Sequence, residues 1–318
     1  MRARLQPEAL AAWTQRLIAV PTENPPGEAG THAACREVLA AALHAHGFND
    51  IRQEGECLLA FAGGGTRTLY FSGHYDVVPA QHRAQFQPEI RGRNLFGRGA
   101  SDMKGGLVAM MQAAAAARDE GLLEAGRIGL IFVPDEETAG PRGSRHLAAC
   151  GLLGADGIGM VTPEPTGGVI WNASRGAITL RATMAGKAAH VGRQFEGRNA
   201  FERALPALQR LARLKAAVER RRTRCAIAPA AARHSILMLG GISGGGTNFN
   251  VTPESFSFTL DRRLNPEENA DLEFRRLEAV LAGFTVEVLQ REAAASTSAG
   301  TALAHSLARQ VAADLLRA

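Results

Sequence analysis

The stretch RIGLIFVPDEETAG, Arg127 to Gly140, runs from a near-continuous apolar segment straight into three acids, Asp135, Glu136 and Glu137. An apolar run of this length without alternation predicts a strand buried on both faces, as in a parallel sheet. Three carboxylates at its end repel one another, and a buried charge is costly unless it is paired or bound to metal. In an open α/β sheet, ligands bind beyond the carboxyl ends of the strands. The stretch therefore points both to a fold class and to a place where chemistry happens.

The neighbouring segments extend the pattern. CLLAFAG and TRTLYFSG read as strands, and DMKGGLVAMMQAAAAARDEG as a helix with Asp102 near its start and Gly121 beyond its end. SRHLAACGLL reads as a helix and GIGMVTPEP as a short buried strand. Two helical patterns come first, at about 6–20 and 27–47, the second stopped by Gly47. Strands alternating with helices predict a mostly parallel, twisted α/β sheet flanked by helices. Near residue 175 the character changes. GAITLRATMAG, RHSILMLGGI and ESFSFTLDRRL alternate like half-exposed strands, while RNAFERALPALQRLARL and PEENADLEFRRLEAVLAGF read as helices. With TVEVLQRE as a last strand, the set predicts a smaller α+β unit with an antiparallel sheet, and the tail AGTALAHSLARQVAADLLRA adds one more helix.

Bulk properties narrow the function classes. A chain of 318 residues suits one large or two medium domains, and 46% apolar with 21% charged residues is ordinary for a globular protein. No apolar run reaches the roughly 18–20 residues that span a bilayer, and the amphipathic start lacks an unbroken apolar leader, so a cytoplasmic protein without a membrane partner is expected. Cys35, Cys57, Cys150 and Cys225 show no CxxC spacing and read as reduced thiols. The basic segment RLARLKAAVERRRTRC lacks interleaved aromatics and reads as a solvated helix end, not a nucleic-acid surface.

Four motifs carry the candidate chemistry: FSGHYDVVP with His74 and Asp76, GRGASDMKGG with Asp102, PDEETAG with Glu136 and Glu137, and VTPEP with Glu164. Taken singly, His74 reads as a core or surface histidine, Asp76 as a turn cap, Asp102 as a helix N-cap and the paired glutamates as a polar loop. Together, each at the mouth of a strand or helix, they suit a pair of divalent ions. Imidazole and carboxylate are proper zinc ligands, and two ions about 3.5–4 Å apart need a bridging carboxylate. Hydrolysis further needs a carboxylate that does not coordinate beside one that does, which Glu136 and Glu137 supply.

These motifs, in this order from about residue 6 to 310, resemble the M20 family of metallohydrolases, which includes deacetylases, desuccinylases, aminoacylases and carboxypeptidases. The resemblance implies a zinc-peptidase-like catalytic domain, residues 1–175 with 291–318, and an inserted lid and dimerisation domain, 176–290. It implies two Zn2+, with Co2+ or Mn2+ as substitutes. His74 and Glu164 would hold one ion, Asp102 would bridge, and Glu137 would hold the other. Asp76 would orient His74, Glu136 would serve as general base, and the Asp102–Met103 peptide would be cis. In the lid, GKAAHVGRQFEGRNAFERALPAL places His190 where the family keeps a histidine that polarises the scissile carbonyl across a homodimer. GGTNFNVTPESFSFTLDRRL places Asn250 and Arg263 in the segment that binds the substrate carboxylate, a task suited to a planar guanidinium.

The family completes its second metal site with a histidine beyond the last helix seen here. No position through Ala318 matches it, and His305 and the remaining histidines fall in no family motif. An apolar sheet edge is expected where the further segment packs. A truncated product, a second chain supplying the segment, or a protein with one competent metal site are the three explanations. The implied activity is hydrolysis of the amide bond of an N-acyl amino acid by metal-activated water. A dipeptidase or carboxypeptidase, and a non-catalytic dimeric binding protein, are the alternatives.

Overall fold

The computed structural model describes residues 6–315, apart from positions 26, 155 and 228. The chain forms two compact units, Met1–Gly168 and Val169–Ala318. Residues 291–318 thus group with the second unit, and their assignment to the catalytic domain, with boundaries at 175 and 290, remains a proposal about function.

The first unit contains α1 (Pro7–Ile18), α2 (Thr31–Ala45), β1 (Asp50–Glu54), β2 (Cys57–Ala62), β3 (Arg67–His74), β4 (Glu89–Arg91), β5 (Asn94–Phe96), α3 (Gly105–Asp119), β6 (Gly126–Val133), α4 (Ser144–Ala149) and β7 (Gly157–Val161). Its five-stranded sheet has the order β1-β2-β6-β3-β7. The sheet is mixed: β3 pairs in parallel with both β6 and β7, while β1, β2 and β6 are antiparallel neighbours. The two-residue side-chain period of β6 divides its apolar run between two cores. Leu130 and Phe132 join Leu17, Leu39, Leu43, Leu107 and Met111 of the three long helices. Ile131 and Val133 turn the other way, against Tyr70 and Leu147. Strand β7 edges the sheet with Ile158 and Met160 exposed, so the segment read from sequence as a short buried strand is an exposed edge strand, apolar residues alone not fixing its burial.

Close approach at the head of α3 depends on glycine. A Cβ on Gly73 would stand 2.6 Å from Leu107 Cδ2, and one on Gly106 would stand 2.6 Å from the Pro163 carbonyl. The absent side chains let α3 seat against the end of β3 and against the loop that carries Glu164. Beside them Lys104 is fully buried, and its Nζ donates to the carbonyls of Leu17 and Val20, both at 2.8 Å. This ties the end of α1 to the start of α3.

The second unit contains β8 (Ala173–Ser174), β9 (Gly176–Ala185), α5 (Ala200–Val218), β10 (Ile236–Gly245), β11 (Ser255–Leu264), α6 (Ala270–Val280), β12 (Thr285–Glu292), β13 (Ala295–Ser296) and α7 (Ala302–Leu315). Four strands form an antiparallel sheet of order β10-β11-β9-β12. Ile178, Leu180, Phe258 and Leu260 of the sheet pack with Leu211 of α5 and Leu277 of α6. Asn199 and Asn269 cap these two helices, accepting from N–H groups of the first turn.

Candidate metal centre

Strand β3 ends at His74, whose ring is buried. Its Nδ1 lies 2.9 Å from the Asp76 carbonyl and 3.3 Å from the Asp76 carboxylate. Both are acceptors, so Nδ1 donates a proton to them in the neutral and in the charged ring, and Nε2 points the other way. Around Nε2 stand Asp102 Oδ1 at 3.1 Å, Glu164 Oε1 at 3.6 Å and Glu136 Oε2 at 4.0 Å. The donor atoms of His74, Asp102 and Glu164 lie within 4.8 Å of one another. One imidazole nitrogen and two carboxylate oxygens, with the second ring nitrogen already held by a carboxylate, is a donor set that fits a divalent ion of the zinc type.

Each of these side chains arrives from a different element. Asp102 sits in the kinked turn Ala100–Lys104 ahead of α3, with extended backbone (φ −121°, ψ 97°), and the Asp102–Met103 peptide is cis, as the family resemblance implies. The side chain does not cap α3, which starts at Gly105. Glu164 follows β7, and the loop with Glu136 follows β6. The parallel strands β6, β3 and β7 therefore bring their carboxyl ends to one rim.

Asp76 is completely buried. Its Oδ1 accepts from the Glu136 N–H at 3.2 Å, and its Oδ2 from the Glu137 N–H at 3.1 Å and from Asn24 Nδ2 at 2.9 Å. Asn24 also donates to Thr138 Oγ1 at 2.9 Å, so one amide links the acid loop to Asp76. Asn24 lies 52 residues from Asp76, and no local spacing marks it.

The electrostatics match a site that lacks positive charge. Burial opposes a charged His74, yet its hydrogen bond to Asp76 and the negative charges of Asp76, Glu136 and Glu164 outweigh burial and raise its pKa to about 9. Burial pushes Glu164 up to about 7, against the pull of His74 and with the repulsion of Asp102 and Glu136. Glu136 and Glu137 are raised as well, first by burial. Asp76 is held below the usual carboxylate range: burial works against this, and His74, Asn24 and the Glu137 N–H prevail.

Other predicted residues fall elsewhere. Glu137 belongs to no three-donor group among the described residues, and its Oε1 accepts from the Val78 N–H at 3.3 Å. In the second unit His190 and Asn250 are neighbours, with the Val191 N–H on the Asn250 carbonyl and the two side chains 3.5 Å apart. The Gly192 N–H donates to His190 Nδ1 at 3.1 Å, which leaves Nε2 as the proton-bearing nitrogen. Arg263 forms a two-pronged pair with Asp261, at 2.7 and 3.0 Å, while its neighbour Arg262 is buried against Glu268 and Glu273.

The chain is similar to known proteins in sequence and in fold. A succinyl-diaminopimelate desuccinylase of Buchnera aphidicola subsp. Acyrthosiphon pisum (strain APS) is 32% identical over 222 residues, 65% of this chain and 57% of that protein. The chain thus matches little more than half the length of that relative. An M20 family metallo-carboxypeptidase from Sulfolobus solfataricus superposes with a TM-score of 0.71 at 18% identity, covering 96% of this chain and 83% of that one. The aminopeptidase PepT from Bacillus cereus ATCC 10987 gives 0.67 at 17% identity, covering 95% and 80%. These two likenesses establish the fold. The profile of the peptidase family M20/M25/M40 matches residues 70–316, a span that includes His74, Asp102, Glu136, Glu137 and Glu164, and the chain belongs to that family.

Proposed function

We propose that the chain is a zinc-dependent amidohydrolase that cleaves the amide bond of an N-acyl amino acid, of the deacetylase or desuccinylase type. The observation that carries the reading is Nε2 of His74 facing Asp102 and Glu164, with Glu136 at 4.0 Å. The 32% identity with a desuccinylase supports the deacylase side of the family over the peptidase side. His74, Asp102 and Glu164 would hold one ion, and Asp102 and Glu137 would contribute to a second. Zinc held there would supply Lewis acidity at the amide carbonyl and acidify water toward neutral pH.

Glu136 does the proton work. It takes a proton from the attacking water and returns it to the departing amine. Its backbone N–H is fixed by Asp76, which holds it beside the metal ligands without making it one. His190, through Nε2–H, donates to the developing oxyanion of a partner subunit's substrate in a homodimer. Asn250 and Arg263 bind the substrate carboxylate, and Arg263 does so by exchanging Asp261 for the ligand. Free thiols at all four cysteines suit a reducing, cytoplasmic setting.

The test pairs N-succinyl and N-acetyl amino acids with dipeptides in a hydrolysis assay of the zinc-loaded chain. Glu136→Gln should lower turnover by about 10²–10⁴-fold while metal content is retained. Loss of metal in that variant refutes the base assignment. No turnover on any substrate class at saturating zinc or cobalt refutes the enzyme reading in favour of a binding protein.

A further inference from the structure

A second group of metal-binding side chains lies away from the rim. Glu54 ends β1, His146 lies in α4, and Cys150 is the residue that closes that helix. His146 Nε2 is 3.0 Å from Glu54 Oε1, Cys150 Sγ is 3.8 Å from His146 Nε2, and Cys150 Sγ is 4.0 Å from Glu54 Oε1. We propose that Glu54, His146 and Cys150 form a second metal centre for a borderline-soft divalent ion of the zinc class.

The geometry is that of three corners of a tetrahedron. With Zn–N and Zn–O near 2.0 Å and Zn–S near 2.3 Å, tetrahedral edges are about 3.3–3.5 Å, within about half an ångström of the three separations here. The helix supplies two ligands four residues apart, on one face and one turn above the other. The third comes from the β1–β2 turn, where Gly55 has φ +58° and a Cβ would stand 3.1 Å from His146 Nε2. Gly55 thus both makes the turn and clears the imidazole's approach. Thiolate and imidazole together select zinc-like ions over magnesium or calcium, which take oxygen ligands. Cys150 is exposed and Glu54 and His146 half-buried, so the fourth position opens to water or to an outside ligand. The nearby Cys57 thiol is buried and donates to the Arg142 carbonyl, and does not compete for that position.

Binding exchanges the Cys150 S–H proton, released to solvent, for a metal–sulfur bond. The ion then clamps a six-residue helix whose buried contact is Leu147 to the end of the β1–β2 hairpin. Helix α4 directly follows the acid loop, so the clamp anchors that loop's far end.

Cobalt distinguishes this centre from the His74 group, which has no sulfur donor. Co2+ added to the metal-free full chain should give a near-ultraviolet thiolate-to-cobalt charge-transfer band. Cys150→Ser should abolish that band and lower bound metal by one ion per chain in equilibrium dialysis. His146→Ala should weaken the affinity read from the band by at least tenfold, and His74→Ala should leave the band in place. Circular dichroism checks that each variant is folded. Absence of the band in the unmodified chain at saturating cobalt, or its survival in folded Cys150→Ser, overturns the assignment.

Discussion

Replacing Asp76 by asparagine tests whether the buried carboxylate, which touches no substrate, sets the affinity of the rim for metal. The carboxylate is fully buried and receives three N–H groups, from Glu136 at 3.2 Å, Glu137 at 3.1 Å and Asn24 at 2.9 Å. It also stands 3.3 Å from His74 Nδ1. Asparagine keeps the shape but turns one acceptor into a donor. One N–H of the loop or of Asn24 then faces another N–H, and His74 loses the anion that fixes its tautomer. Removing such a partner behind a metal ligand typically weakens metal binding about 10–100-fold, which is about 1.4–2.8 kcal/mol. The assay is competition for zinc against a chromophoric chelator at neutral pH. Asn24→Ala removes one donor and keeps the anion, so it should fall between the two. A change smaller than about threefold in Asp76→Asn would refute the orienting role, because the expected range begins at about tenfold.

Three further outcomes follow from the same contacts. In the chelated, metal-free protein His74 has a pKa of about 9 against an ordinary value of about 6.5, so its contribution is fully present below about 6.5 and is lost as pH rises through 9. Urea titrations across that window should show a decline of at most about 3 kcal/mol, absent in His74→Asn. Lys104→Met removes two charge-assisted hydrogen bonds, to the Leu17 and Val20 carbonyls, and should destabilise by about 1–3 kcal/mol in denaturant unfolding; an unchanged midpoint would show that the clamp on α1 is idle. Asp135→Ala releases the Arg142 N–H, held at 2.6 Å, and should lower kcat about 10–100-fold with a smaller effect on KM, since the loop that aims Glu136 loses an anchor.

What was legible in the sequence depended on how locally the information is stored. The β6 run reads as a doubly buried strand because its burial is continuous, and the antiparallel unit reads correctly because β9, β10 and β11 alternate. The four motifs were legible as one site because parallel strands bring their carboxyl ends to one rim. Strand β1 was not legible: DIRQE is polar because it lies at the sheet edge, so its residues resemble a loop. The antiparallel join of β2 to β6 likewise leaves no mark in a run that is apolar either way. Asn24 and the Glu54–His146–Cys150 group are long-range pairings, 52 and up to 96 residues apart, which no window of sequence holds together. The Asp261–Arg263 pair, by contrast, was open to reading, since residues two apart on a strand share a face.

The crowding in PDEETAG resolves into three different environments for three adjacent acids. Asp135 is turned inward and buried, its carboxylate accepting from the Arg142 N–H. A Cβ on Gly140 or Gly143 would stand 2.2 or 2.3 Å from its oxygens, so the loop closes around this one side chain only because both positions are glycine. Glu136 and Glu137 contribute their backbone N–H groups to the same buried carboxylate, Asp76. Two consecutive N–H groups on one anion hold the peptide backbone inward, and their side chains reach the rim. There burial and mutual repulsion raise both glutamates, along with Glu164. A permanent local counter-charge, an arginine for instance, would have lowered them and left no call for a cation. The loop instead satisfies its backbone with Asp76 and leaves its side chains short of positive charge, the condition under which a divalent ion gains most by binding.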